Sequence, residues 1–194
     1  ITVEHQFTAV SSVPSSSTVS DENVYAIFSD GIESSGSFTA YSNQSSNSNF
    51  DAGNAEYNEV SVGDIKNNVI QYSRLQSPNK ATISFGSPIM VADVFGSGAS
   101  GDYIHLDLHS IHEIGVDKVK ITLGGKTFEQ SLVNNEWTGL DIDFASQGIT
   151  QIDDITFELG TGGTAKNEAT LNVDNIYIYR EALSVPEFTF DDVA

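Results

Sequence analysis

The sequence predicts an all-β protein, an antiparallel β-sandwich, and three observations carry that expectation. Apolar residues recur at every second position far more often than at every third or fourth, so strand alternation is common and helical periodicity is hard to find. Ser, Asn, Gly, Thr and Asp are abundant, as expected where short strands are joined by many turns. The segment Leu171–Tyr179 alternates to an aromatic end through an Asp174-Asn175 pair, and with Ile27-Phe28-Ser29-Asp30-Gly31 it brackets one domain. Antiparallel strands at this spacing mean a sandwich or a barrel.

The elements follow in order. Residues 9–17, rich in Ser and holding Pro14, are linker-like. Val24–Ser29 is a first strand. Residues 31–60 carry Gly, Ser and Asn with scattered aromatics and read as a long loop or a weak edge hairpin. Asn68–Leu75 and Ala81–Phe85 are expected to pair around Ser77-Pro78-Asn79. Tyr103–His109 alternates cleanly. Lys118–Leu123 and Lys126–Leu132 form a hairpin around Gly124-Gly125. Trp137–Phe144, Asp154–Leu159 and Ala169–Tyr179 complete the set. Ala182-Leu183-Ser184-Val185-Pro186 echoes the first linker. The chain thus divides into an N-terminal segment and linker (1–18), the sandwich (19–181) and a linker or the start of a following module (182–194). Both ends have the alternative of packing on the sandwich itself. The start at Ile1 lacks a signal-peptide pattern, which is read as a processed or excised form.

The 194 residues suffice for one all-β domain with a buried core. Eight basic residues face 27 acidic ones, a formal charge of −19. Such a field repels nucleic acid, anionic membranes and polyanionic glycans, and it favours calcium. The absence of cysteine excludes a disulfide framework, a thiolate metal site and a cysteine nucleophile. No apolar run approaches membrane-spanning length.

Period two separates the strand faces. Ile104, Leu106 and Leu108 face the core, and Tyr103, His105, Asp107 and His109 face away. Val119, Ile121 and Leu123 face in. Leu140, Ile142 and Phe144 face in, and Trp137, Asp141 and Asp143 share the other side. Ile155, Phe157 and Leu159 face in. A pyranose has an apolar face on which aromatic rings stack, and a rim of hydroxyls that paired polar groups can bond. Tyr103, His105, Asp107 and His109 suit that chemistry, with Tyr72 and Arg74 beside them if their strand is a neighbour. A second set lies in the long loop, where Tyr41 and Tyr57 accompany Phe38 and Phe50. Trp137 either packs at its strand start or joins the binding face; Tyr177 and Tyr179 read as finishing the core.

Catalysis finds little provision. His105 and His109 stand about 13 Å apart at strand rise, too far to share a metal. Asp141-Ile142-Asp143 is similar to the carboxylate ladder of a β-sandwich glucanase, but Ser146 stands where a third carboxylate is expected. A lyase reading would enlist His105, Tyr103, Arg74 and Gln71. The chain has only two arginines, Arg74 and Arg180, a poor complement to a uronate polymer.

Several landmarks in order carry a family resemblance: Ser29-Asp30, Asn68…Tyr72, Ile104-His105-Leu106-Asp107, Glu136-Trp137 and Asp174-Asn175-Ile176-Tyr177. Across residues 24–180 the chain resembles the jelly-roll carbohydrate-binding modules of secreted bacterial polysaccharide-utilisation proteins. That resemblance implies a jelly roll with one open concave face and no catalysis of its own. It also implies a polysaccharide partner and covalently linked neighbouring domains that the module tethers to the glycan. The resemblance further implies a secreted or cell-surface monomer, with no nucleic acid and no membrane insertion. A structural calcium ion is implied between the first and last strands, with Asp30 and Asp174 as carboxylate ligands and Glu33 or Glu22 as additions. The alternative is that Asp30 makes a turn and Asp174 caps a bulge. The charge favours a neutral β-glucan. A second reading is a calcium-stiffened structural or adhesion module that binds no sugar; a third is a lyase or glycoside hydrolase.

Overall fold

The computed structural model describes residues 23–29, 38–44, 55–62, 65–76, 80–96, 98–112, 117–159 and 168–181. The proposed segments 1–18 and 182–194, and the residues Glu22, Asp30, Glu33 and Phe50, lie outside them.

Among the described residues eleven strands follow one another. They are β1 (Val24–Phe28), β2 (Phe38–Gln44), β3 (Ala55–Val62), β4 (Ile65–Gln76), β5 (Lys80–Met90), β6 (Tyr103–His112), β7 (Lys118–Leu123), β8 (Lys126–Ser131), β9 (Trp137–Asp143), β10 (Gln151–Leu159) and β11 (Glu168–Tyr179). One helical turn, α1 (Phe144–Gln147), follows β9. The strands form two antiparallel sheets, the β-sandwich of jelly-roll kind that the alternation and the resemblance predict. The larger sheet runs β3-β4-β11-β6-β9, with β1 also on β11, and the smaller runs β2-β5-β10-β7-β8.

Alternation fills the space between the sheets. The larger sheet contributes Ile70, Tyr72, Ile104, Leu106, Leu108, Leu171, Val173, Ile176 and Ile178; the smaller contributes Ala81, Ile83, Val119, Ile121, Leu123, Ile152, Ile155 and Phe157. These interior faces are withdrawn from water, and that burial is the main favourable contribution to the fold. The β7–β8 hairpin forms as expected, with Gly124 at φ 53 and Gly125 at φ 72. Both central residues of a two-residue loop need positive φ to match the strand twist.

Two expectations about pairing are corrected. β4 and β5 are consecutive but do not pair; β4 lies between β3 and β11, and β5 between β2 and β10, in opposite sheets. Alternation reports which residues face the core. It is silent on which sheet supplies them, so two inward faces meeting across the core look like one hairpin. Within the stretch 31–60, read as a long loop or a weak edge hairpin, the described residues form edge strands, but β2 and β3 lie in different sheets and do not pair as a hairpin. Edge strands rich in Ser and Asn bury one partner only, so their hydrophobic signal is weak.

The larger sheet turns on an irregularity in β11. β4 pairs with Glu168–Val173, and β1 pairs with Ile176–Tyr179. The partner on that side changes at Asp174-Asn175. On the other side the register with β6 shifts between Asp174 and Tyr177. Asn175 takes φ 47, a left-handed conformation that Asn tolerates better than most residues. Its backbone N–H donates to Asp174 Oδ1 at 2.7 Å. The carboxylate thereby satisfies an amide that the bulge removes from the ladder.

Gly101 shows how tightly the end of the sandwich is closed. A Cβ there would collide with Ile178 Cγ2 and sit 3.1 Å from Val94 Cγ1. Ile178 is fully buried and has nowhere to move. Gly101→Ala is expected to lower stability by about 1–3 kcal/mol by overpacking. Urea unfolding should show a lower midpoint at unchanged slope; an unchanged midpoint refutes it.

Candidate functional site

The residues singled out on β6 do share one face of the larger sheet, and their cross-strand partners arrange them in four rows. The first row is Gln71–Asn172–His109–Trp137, the second Asp174–Asp107–Gly139. The third is Ala26–Tyr177–His105–Asp141, the fourth Val24–Tyr179–Tyr103–Asp143. Two residues of strand rise separate successive rows, so Trp137 and Tyr103 stand about 20 Å apart along the sheet.

The first row is a relay of amides ending on a ring. Gln71 Nε2 donates to Asn172 Oδ1 at 2.8 Å, and Asn172 Nδ2 donates to His109 Nδ1 at 2.9 Å. An amide nitrogen can only donate, so Nδ1 accepts and the ring proton of a neutral His109 sits on Nε2. Burial pushes the His109 pKa down, against a hydrogen bond that the ring donates to the Asn135 side chain. Trp137 lies against this ring at 5.1 Å between centroids. Its Nε1 is buried and has no hydrogen-bond partner among the described residues.

The second and third rows form an ionic network. His105 Nδ1 meets Asp141 Oδ1 at 2.8 Å, and Nε2 meets Asp107 Oδ1 at 3.2 Å. Burial opposes the charge on this imidazole, but the hydrogen bonds and charges of Asp107 and Asp141 outweigh it and hold the pKa up at about 9. Asp107 Oδ2 accepts from Asn175 Nδ2 at 2.8 Å, and Asn175 Oδ1 accepts from Ser29 Oγ at 2.8 Å. Gly139 makes room for the pair: a Cβ there would lie 3.2 Å from His105 Cε1 and 3.3 Å from Asp107 Oδ1. His105 stacks on Tyr177 at 4.9 Å. The hydrogen bond from His105 holds the Asp141 carboxyl below its usual range, against burial.

The fourth row is aromatic and exposed at its edge. Tyr103 and Tyr179 stack at 5.1 Å. The Tyr179 hydroxyl donates to Asp141 Oδ1 at 3.2 Å and the Tyr103 hydroxyl to Glu181 Oε1 at 3.4 Å. Burial raises both Tyr177 and Tyr179 above the usual phenol range, and the Asp141 charge adds to it.

The predicted residues therefore divide. His105, Asp107 and His109 lie on the face but are only 6%, 7% and 2% exposed. Cross-strand neighbours cover them, and their polar atoms are engaged: His105 with Asp107 and Asp141, Asp107 also with Asn175, and His109 with Asn172. Tyr103, Tyr179 and Trp137 are half-buried and offer ring surface to a ligand. Tyr72 is corrected: it faces the core at 0% exposure and packs on Phe157, because its cross-strand partner on β11 is the inward Leu171. Arg74, Tyr41 and Tyr57 lie in β4, β2 and β3, with side chains outside the described residues. Tyr177 and Tyr179, read as finishing the core, belong to this face, and Tyr177 is buried there at 3% exposure. Their alternation with Ile176 and Ile178 was the signal that could have placed them.

For calcium, the pairing of β1 with β11 does bring the end of β1 to the bulge, where Ser29 meets Asn175. Asp174 is fully buried there. Among the described residues no three His, Asp or Glu side chains converge as a metal site requires. Calcium calls for six to eight oxygen ligands, which the described residues alone do not assemble. The Asp141/Asp143 pair is committed to structure: Asp141 holds His105 and Tyr179, and Asp143 Oδ1 accepts from Ser146 N to cap α1.

No family model matches the chain, and no curated protein sequence matches it. Among solved structures it is similar to CBM29_1, a family 29 carbohydrate-binding module from Piromyces equi. That match has 15% identity over 72% of this chain and 91% of that one, at a TM-score of 0.36. It is also similar to SGBP-B, from a complex xyloglucan utilization locus in Bacteroides uniformis, at 10% identity and a TM-score of 0.40. That match covers 83% of this chain and 50% of that one. A third is the carbohydrate-binding module CBM36 in complex with calcium and xylotriose, at 12% identity over 64% and 91% of the two chains, with a TM-score of 0.30. At these identities and scores the likeness assigns neither a ligand nor a role to any residue here.

Proposed function

We propose that this chain is a non-catalytic carbohydrate-binding module that holds a polysaccharide along the outer face of its larger sheet. One observation carries the reading: half-buried rings stand at both ends of that face, Trp137 at one and the Tyr103–Tyr179 stack at the other, on a floor of hydrogen-bonded polar rows. Rings accept the apolar faces of pyranoses, and the floor fixes the rings in place. The charge of −19 favours a neutral glycan such as a β-glucan over uronates or sulfated polymers. The module tethers a covalently attached enzyme or surface protein to its glycan outside the cell, raising local concentration without new chemistry. Calcium at Asp30 and Asp174 is part of the same proposal, as a brace between β1 and β11.

Affinity electrophoresis against a panel of neutral polysaccharides, with and without chelator, tests the reading. The chain should be retarded by a β-glucan, and Trp137→Ala or Tyr103→Ala should each weaken retardation roughly tenfold, the loss of about 1.5 kcal/mol of ring stacking. Retention of full mobility in every polysaccharide defeats the proposal. Undiminished binding in both variants, with loss in Tyr41→Ala or Tyr57→Ala, moves the site to β2 and β3. The saturated inner polar network favours one second reading, a purely structural module, and that reading expects no retardation at all.

A further inference from the structure

His105 and His109 share one face of β6, and their partners fix opposite charge states. His109 Nδ1 accepts from Asn172 Nδ2 at 2.9 Å, so that ring is neutral. Both nitrogens of His105 instead face carboxylate oxygens, Nδ1 facing Asp141 Oδ1 at 2.8 Å and Nε2 facing Asp107 Oδ1 at 3.2 Å. Those oxygens accept, so each nitrogen carries a proton and the ring is an imidazolium. A neutral ring has a single N–H and can close only one of the two contacts. The other groups around it are phenols and acids. From β11, Tyr177 stacks on the ring and Asp174 lies across from Asp107. Tyr179 and Tyr103 stand one row on, with Asp143 opposite Tyr103 and Glu181 bonded to its hydroxyl. From β1, the residue opposite Tyr177 is Ala26, which does not titrate.

Asp141 links this charge to the outer rings. Its Oδ1 accepts from both His105 Nδ1 and the Tyr179 hydroxyl, the latter at 3.2 Å, and Tyr179 stacks on Tyr103 at 5.1 Å. The two carboxylates are not equally free to leave. The Asp107 side chain is 9% exposed and its other oxygen is held by Asn175 Nδ2. The Asp141 side chain is 52% exposed, on β9 at the edge of the sheet among the described residues. We propose that His105, through its proton, is the positioning residue of the Tyr103–Tyr179 end of the glycan face: losing the proton frees Asp141, unlatches Tyr179 and weakens glycan binding. The neutral ring keeps its one N–H on Asp107, because a buried acceptor stripped of its donor costs more than an exposed one that water satisfies. The proton that leaves is the one on Nδ1, taken up by solvent. Nδ1 then turns a lone pair toward Asp141 and repels it. The folded-state pKa of about 9 sets the range: the latch is closed below it and opens above. Tyr103, Tyr177 and Tyr179 are all raised above the ordinary phenol range and His109 is lowered, so none of them imitates this step. The consequence for binding rests on the glycan reading; the latch itself does not.

Two readouts on the intact chain, taken from neutral pH to well above the His105 midpoint, test the two parts separately. Proton NMR follows the His105 ring and the contact between the Tyr103 and Tyr179 rings. Affinity electrophoresis follows retardation by hydroxyethylcellulose, a neutral β-glucan, while far-UV circular dichroism verifies at each pH that the sheets persist. The ring contact should fade with the His105 titration, at a midpoint of about 9. Affinity should fall roughly tenfold over the same step, as expected for the loss of one ring contact. Asp141→Asn keeps an acceptor for both donors but removes a charge, so both midpoints should drop together by about one pH unit or more. His105→Gln has no proton to lose there and should show neither step; should it fail to fold, Asp141→Asn alone decides. A ring contact that persists while His105 titrates overturns the inference, whether or not glycan binds. Midpoints that stay near 9 in Asp141→Asn do the same. Undiminished retardation across a fading contact overturns the positioning role. A contact that fades as expected in a chain that the polysaccharide never retards upholds the latch and counts against the glycan reading instead.

Discussion

Asp107→Ala is expected to cost the fold about 3–5 kcal/mol, the loss seen when one partner of a buried ion pair is removed. Asp107 is 7% exposed and joins three strands: it faces His105 on its own strand, receives Asn175 from β11, and lies across from Gly139 on β9. Without it, His105 keeps its buried site and one carboxylate fewer to hold its charge. The same network predicts a pH dependence. His105 has its pKa raised from 6.5 to about 9 in the folded chain, a difference worth about 3 kcal/mol. The protonated ring binds its proton more tightly folded than unfolded. Its stabilisation is therefore complete below pH 6.5, shrinks as pH rises through about 9, and is absent above it. Urea unfolding between pH 6 and 10 should show this decline, and Asp107→Ala should flatten it. A variant that unfolds at the same urea concentration as the parent, with the same pH slope, removes His105–Asp107 from the list of forces holding the larger sheet.

Much of this architecture was legible in the alternation. The inward set Ile104, Leu106 and Leu108 is fully buried, and the Gly124-Gly125 hairpin closes where the glycines stand. What alternation cannot carry is depth. It places Tyr103, His105, Asp107 and His109 on one face, but whether that face is open depends on cross-strand neighbours that sequence does not pair. Tyr177 and Asp141 flank His105 only because β11 and β9 both border β6. Three residues expected to grip a ligand directly instead hold the rings that could. Tyr72 misled for a related reason: β4 joins the sheet through β11, and a register shift near Leu171 sets which of its residues face inward. Side chains on β2 and β3 gave no such signal, since the stretch around them is poor in apolar alternation.

Asn175→Ala is the second large effect, expected at about 3–4 kcal/mol. One part is the hydrogen bond to the ionised Asp107, worth about 1.5–3 kcal/mol. The other is the left-handed backbone at φ 47, which costs an ordinary residue about 1–2 kcal/mol. Asn175→Gly separates them, because glycine accepts that backbone freely but cannot make the bond. The alanine variant should therefore be less stable than the glycine variant by about 1 kcal/mol or more. Equal stability of the two would mean that the bulge is not held in the left-handed form. The bulge also sets the outer face on which we propose the glycan lies. It inserts the extra residue that lets Asp174 oppose Asp107 while Tyr177 opposes His105. A regular strand would shift the register by one and turn Tyr177 and Tyr179 toward the core, bringing Ile176 and Ile178 out. Asn175→Ala should thus lose stability first and glycan retention with it. Near-UV circular dichroism should report loss of the Tyr177–His105 and Tyr179–Tyr103 stacks before the sheet itself unfolds.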